Sequence, residues 1–242
     1  MQSRREHSYR RDRKERGNTL LEFGLVMIVL VPMFAGMFTV GMAVNKGIQV
    51  SNVARDAVVL MVTAIENPNS GLDLSQTQNQ RIVVRAANGL GMASDTSYDP
   101  STTGLSVVIL SKVVMVGNTE CSLGITPAPT GAPPWNASNC PNYGSYVFAY
   151  RVVIGNTTRW TSVLGNPPNS ATITNGVVSA DDIASNTGDR VASFTTTIGT
   201  GGSPFTMTSS QYALISEMYA DVSAFNFFRI MSNPVIYARQ VS

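Results

Sequence analysis

Histidine is almost missing from this chain: among 242 residues there is one, His7, in a basic N-terminal stretch. No Ser-His-Asp or Cys-His arrangement can be assembled from the rest of the sequence. Cysteine is nearly as scarce, with only Cys121 and Cys140. Two cysteines that far apart, with no histidine beside them, do not supply the ligands of a zinc site, so no metal is expected. Neither a Gly-x-Gly-x-x-Gly nor a P-loop pattern follows an apolar strand, and Gly199-Thr200-Gly201-Gly202 reads as a turn. These absences argue against an enzyme, a cofactor and a small-molecule substrate.

Charge is the next shortage. Charged residues make up 13% of the chain, about half of the roughly 25% usual in soluble domains. Of 17 basic and 15 acidic residues, seven and three fall within residues 1–16, leaving ten and twelve for the remainder. The formal charge of +2 is thus a +4 leader on a −2 body. Because the body is not basic, the pI of about 8.6 is no sign of nucleic-acid binding. So low a charge, with 43% hydrophobic residues, also argues against a disordered chain.

What the sequence does have is one long apolar run. Between Phe23 and Asn45 no side chain is ionisable. As a helix, residues 23–44 would span about 33 Å, against about 30 Å of hydrocarbon in a bilayer. A buried core helix is the alternative, but such helices usually carry polar residues on one face. Pro32, Gly24, Gly36 and Gly41 are tolerated in membrane helices, and Pro32 is expected to kink this one. The run is too long for a cleaved secretory signal. The basic flank places the N-terminus in the cytoplasm and residues 46–242 outside it. Glu22 lies in the first turns of the span, where a carboxylate at bilayer depth costs about 2.5–3.5 kcal/mol and calls for a partner.

Those residues carry a resemblance. The stretch Arg16-Gly17-Asn18-Thr19-Leu20-Leu21-Glu22-Phe23 resembles the processing site of type IV prepilins, with a basic leader, a glycine, and a glutamate five positions beyond it. Within that superfamily the chain is most similar to TadE-type pilin-like proteins of tight-adherence (Tad) systems, through Arg16-Gly17, Glu22-Phe23, Pro32 and Ala54-Arg55-Asp56-Ala57. The similarity covers residues 16–65, about a fifth of the chain. It implies cleavage between Gly17 and Asn18 by a prepilin peptidase, a membrane location, and assembly with other pilin-like subunits. It also implies that Glu22 meets the new amino terminus of a neighbouring subunit, an attraction strengthened by low dielectric. Snorkelling of Glu22 to the headgroups is the plainer alternative. Asn18 departs from the aromatic found there in many type IV pilins, so methylation is not assumed.

The domain plan is then a leader (1–17), a membrane-spanning helix (18–45), an amphipathic extension of that helix (46–66) and an extracytoplasmic head (67–242). In the extension Ile48, Val50, Val53, Ala54, Ala57, Val58, Met61 and Ile65 recur at three- and four-residue spacing, and Asn67-Pro68-Asn69-Ser70-Gly71 ends it. The head reads as α+β, with a helix over 76–90 and a mainly antiparallel sheet. Its candidate strands are 105–116, 146–154, 158–164, 191–197, 211–224 and 235–241. Alternating Tyr146, Phe148, Tyr150 and Val152 mark a half-buried strand.

Outside the cytoplasm Cys121 and Cys140 read as a disulfide around a loop rich in proline and glycine, two free thiols being the alternative. Trp135 and Tyr143 near that loop are candidates for an adhesive tip or for ordinary packing. Asp95 with Asp99, or Asp181 with Asp182, are weak calcium candidates. Asn136-Ala137-Ser138 and Asn156-Thr157-Thr158 fit the glycosylation pattern. The apolar run and the resemblance together imply a single-pass protein of a bacterial inner membrane: a minor pilin-like subunit of a Tad apparatus, with extraction into a pilus as a further expectation. An uncleaved signal anchor displaying an adhesive or binding domain is the alternative.

Overall fold

The computed structural model describes residues 3–67, 70–93, 95–125, 135–167, 173–174, 176–191, 194, 205–223 and 235–242, without the side chains of residues 3–20, 173 and 174. Helix α1 runs from Ser3 to Glu66 and is followed by α2 (Thr77–Ala86). Then come β1 (Ser106–Met115), α3 (Asn118–Gly124), β2 (Tyr146–Gly155), β3 (Ile173–Thr174), β4 (Val177–Val178), α4 (Ala180–Ser185), β5 (Tyr212–Asp221) and β6 (Val235–Val241). The architecture is α+β. Two compact units divide the chain, one built on residues 1–45, the other on Lys46–Val222 with Val235–Ser242.

In the first unit α1 begins well before the apolar run, inside the basic leader. Arginine, lysine and glutamate are good helix formers. The spacing Glu6–Arg10 and Asp12–Arg16 is the favourable i, i+4 order of acid before base. From Leu21 onward α1 is long and apolar enough to cross a membrane. Leu25, Ile28, Val29, Phe34, Met37 and Phe38 stand exposed along it.

In the second unit the remainder of α1 is amphipathic, burying Val50, Val53, Ala54, Ala57, Val58 and Met61. Arg55, Asp56 and Val59 lie outside. The buried stripe packs with Val83 and Val84 of α2 against Val108, Leu110, Tyr150, Val152, Leu214 and Met218 of the sheet. Each fully buried valine, leucine or methionine among them contributes about 1.5–3 kcal/mol. Helix α1 stops at Glu66, and α2 ends four residues short of the expected 90, where Asn88 and Gly89 turn the chain and Gly89 takes φ +87°.

The sheet has six strands in the order β3-β4-β2-β1-β5-β6, every pair antiparallel. β1 is central and buried on both faces, which explains its near-continuous run of valine, isoleucine and leucine. Opposite Lys112 and Val113, β2 carries one extra residue, because Lys112 pairs with Tyr150 and Val113 with Phe148. This bulge at Ala149 overturns the alternation expected of Tyr146, Phe148, Tyr150 and Val152. Tyr150 and Val152 pack toward α1, while Phe148 and Tyr146 belong to a second cluster with Val113, Ile215 and Phe194.

The stretch 158–164 is not a strand. Asn156 folds its start, its Oδ1 accepting from the backbone N–H of Thr158 and Arg159, both at 3.1 Å. Further along, Glu217 binds Ser162 and the Val163 N–H, so the segment lies over the sheet as a loop. Most of the expected strand 191–197 lies outside the described residues, as do the Gly199–Gly202 turn and the proline cluster from Pro127 to Pro134.

Candidate functional site

Gly17, Asn18 and Glu22 stand in succession on α1, with Glu22 exposed. Five residues of helix carry Glu22 about 7.5 Å along the axis from Gly17. The geometry therefore offers one glycine-centred backbone segment and, a turn and a half further on, one carboxylate at the start of the apolar surface. The extension that follows presents its buried stripe, from Val50 to Met61, to the core of the second unit.

It is over this helix that the chain is similar to known proteins. Residues 17–58 match the family of TadE-like proteins. No curated protein and no solved structure matches the chain. The TadE-like segment takes in the candidate membrane span and the start of the buried stripe. The matched residues Val50, Val53, Ala54, Ala57 and Val58 are all buried within the second unit. Within the motif Ala54-Arg55-Asp56-Ala57 the two alanines are thus core and the charged pair is solvated, the small residues permitting close approach to the sheet.

Away from the TadE-like helix, Cys121 and Cys140 are joined, their Cα atoms 5.9 Å apart. The bond ties α3 to the turn that leads into β2. Trp135 and Tyr143 pack against this cluster, together with Ala184 and Ile183. Asn142 completes the corner by donating from Nδ2 to the carbonyls of Ile183 (3.0 Å) and Asn186 (2.9 Å), while its Oδ1 accepts from Arg190 Nε at 2.8 Å. The C-terminus of α4 is capped in this way.

The acidic pairs singled out in the sequence have ordinary structural work. Asp99 accepts from Arg81 Nε at 2.8 Å, and this ion pair holds its carboxyl below the usual range. Asp182 sits in the first turn of α4, where its N–H and carboxylate both engage the N-cap Ser179. Among the described residues no group of three histidine, cysteine, aspartate or glutamate side chains could hold a metal ion. Asn156 is spent as well: it is buried, and its Nδ2 donates to Gly104 O at 2.8 Å, which leaves no free amide for a glycan.

Three buried ionisable residues escaped the sequence reading. Glu217, on β5, is fully buried and accepts from Ser162 Oγ, the Val163 N–H (3.1 Å) and Tyr237 Oη (3.1 Å). Arg151, on β2, donates to Ser111 Oγ (2.8 Å), Gly165 O (3.0 Å) and Asn166 Oδ1 (2.9 Å), and burial lowers it to about 10. Asp189, in a single 3-10 turn, is fully buried with neither carboxylate oxygen hydrogen-bonded. Burial, with Asp182 nearby, pushes its carboxyl up to about 6. Their only sequence signal was being charged residues in a chain that has few.

Proposed function

We propose that this chain is a minor, pilin-like structural subunit of a Tad-type pilus or secretion apparatus, cleaved after Gly17 by a prepilin peptidase and assembled through its N-terminal helix. The observation that carries the reading is the TadE-like match over residues 17–58, which takes in Gly17, Glu22 and the apolar helix together. A peptidase of this class needs a glycine next to the membrane edge, and Gly17 stands four residues before the apolar segment that starts at Leu21.

Function on this reading is mechanical. Cleavage removes the +4 leader, leaving Asn18 with a free amino group about a turn from the Glu22 carboxylate. Within one helix the two groups cannot satisfy every neighbour; between helices the ammonium of one subunit meets the Glu22 of the next and sets their register. The basic leader keeps the N-terminus cytoplasmic before processing, and the sheet domain lies across the inner membrane from it. The disulfide and the corner it holds suit an oxidising compartment. Glu22→Ala should insert into the membrane but fail to enter assemblies with its partners, while the mature N-terminus tests the processing step.

A further inference from the structure

The sheet face that α1 and α2 cover is not closed all the way to α4. A groove of about 580 Å³ lies between the last turn of α1 and α4, entirely within the second unit. Its walls are aliphatic: Ile65, Leu72, Leu74, Val178 and Ile183. Its floor is the bulged part of β2, Ala149 and Tyr150, with Lys112 beside them. The Lys112 ammonium stands 4.4 Å from the centre of the Tyr212 ring, and among the described residues it makes no hydrogen bond or ion pair. Glu120 and Glu66 act on it only at a distance, and burial lowers its pKa.

We propose that this groove binds a single-chain fatty carboxylate, with the tail among the aliphatic walls and the carboxylate on Lys112. The volume falls within the roughly 300–1,000 Å³ of small-ligand sites. A half-buried cation in van der Waals contact with a ring, with Glu120 and Glu66 acting on it only at a distance, attracts an anion more strongly than it would in water. Apart from Lys112, Asp73 and the Tyr150 hydroxyl, the side chains of the lining carry no hydrogen-bonding group, so a peptide laid along the aliphatic walls would bury unsatisfied N–H and C=O groups, whereas an alkyl chain has none to lose. Of the other two ionisable groups in the lining, Tyr150 is kept neutral by burial, and Asp73 already accepts from the Ser75 N–H at 2.9 Å and from Gln76 and disfavours a second anionic group on the ligand. The inference does not depend on processing at Gly17.

The test uses the full chain in lipid nanodiscs with methyl-labelled isoleucine, leucine and valine, titrated with dodecanoate and, separately, with 1-dodecanol. Saturable shifts confined to Ile65, Leu72, Leu74, Val178 and Ile183 are expected for dodecanoate, with the methyls of residues 25–44 reporting simple partition into the bilayer. Binding should weaken about tenfold or more for 1-dodecanol on the native chain, and equally for dodecanoate on Lys112→Met. Absence of saturable shifts at the groove methyls would overturn the proposal. So would equal affinity for dodecanoate and 1-dodecanol, an arm that involves no variant and no question of folding.

Discussion

The Ser162 hydroxyl donates to the carboxylate of Glu217, joining a loop to the middle of a strand 55 residues away. Glu217 is wholly buried, and the same carboxylate also takes the Val163 N–H and the Tyr237 hydroxyl. This one side chain accounts for a loop at 158–164, where the sequence offers a candidate strand. It also links β5 to β6, whose ring Tyr237 lies 4.7 Å from that of Tyr219.

Glu217→Ala should therefore destabilise the sheet domain by about 3 kcal/mol, because three donors lose their acceptor at once. Glu217→Gln, which keeps an acceptor oxygen, should cost less than half as much. Denaturant unfolding of the full chain in detergent micelles, followed by near-ultraviolet circular dichroism of Trp160 and the tyrosines, measures both.

Asp189 makes stability depend on pH. Its carboxyl titrates near 6 in the folded chain against about 3.9 when unfolded, so the folded state holds the proton more tightly. The stabilisation is fully present below about pH 4, is lost as pH rises toward 6, and is constant above that. The change should be of the order of 1–3 kcal/mol. Asp189→Asn should flatten this slope, and thermal midpoints between pH 4 and pH 7.5 provide the check. A slope unchanged in Asp189→Asn would assign it to another group.

Reduction of the Cys121–Cys140 bond should cost about 3 kcal/mol in the chain-entropy model, given its separation of 19 residues. The loss should concentrate at α3 and α4. Hydrogen exchange with and without reductant reads this directly: amides of residues 118–124 and 180–185 should lose protection before those of β1.

The long helix and the central strands were legible because each is long and has one dominant period. The apolar run at 23–44, the stripe from Val50 to Met61 and the valine-rich β1 leave little competing choice of structure. What the pattern missed is set by single residues whose effect is tertiary. One extra residue at Ala149 reverses which face Phe148 takes. Likewise Glu217 overrides the strand propensity of 158–164, and the short helices α3 and α4 owe their places to the disulfide and to Asn142 rather than to periodicity. At the candidate site Gly17 and Glu22 could be named through the resemblance to prepilins, because both lie in one short stretch of sequence and on one helix. The groove at Lys112 could not, since its lining comes from α1, β1, β2, β4 and α4.

The proposed role of Glu22 in assembly should separate from membrane insertion. Glu22→Ala should fractionate with membranes as the native chain does, while cross-linking to partner subunits falls at least several-fold. Glu22→Gln should behave like Glu22→Ala, because the attraction to an ammonium requires the charge. Assembly unchanged in both variants would leave Glu22 as a side chain that merely reaches the headgroups.

The most direct test of the account is the N-terminal residue of the chain purified from membranes of cells that carry a prepilin peptidase. The account predicts a chain beginning at Asn18, without the +4 leader, and an uncleaved precursor when Gly17→Ala is expressed in the same cells. A native chain that keeps its leader beside an active peptidase would contradict it.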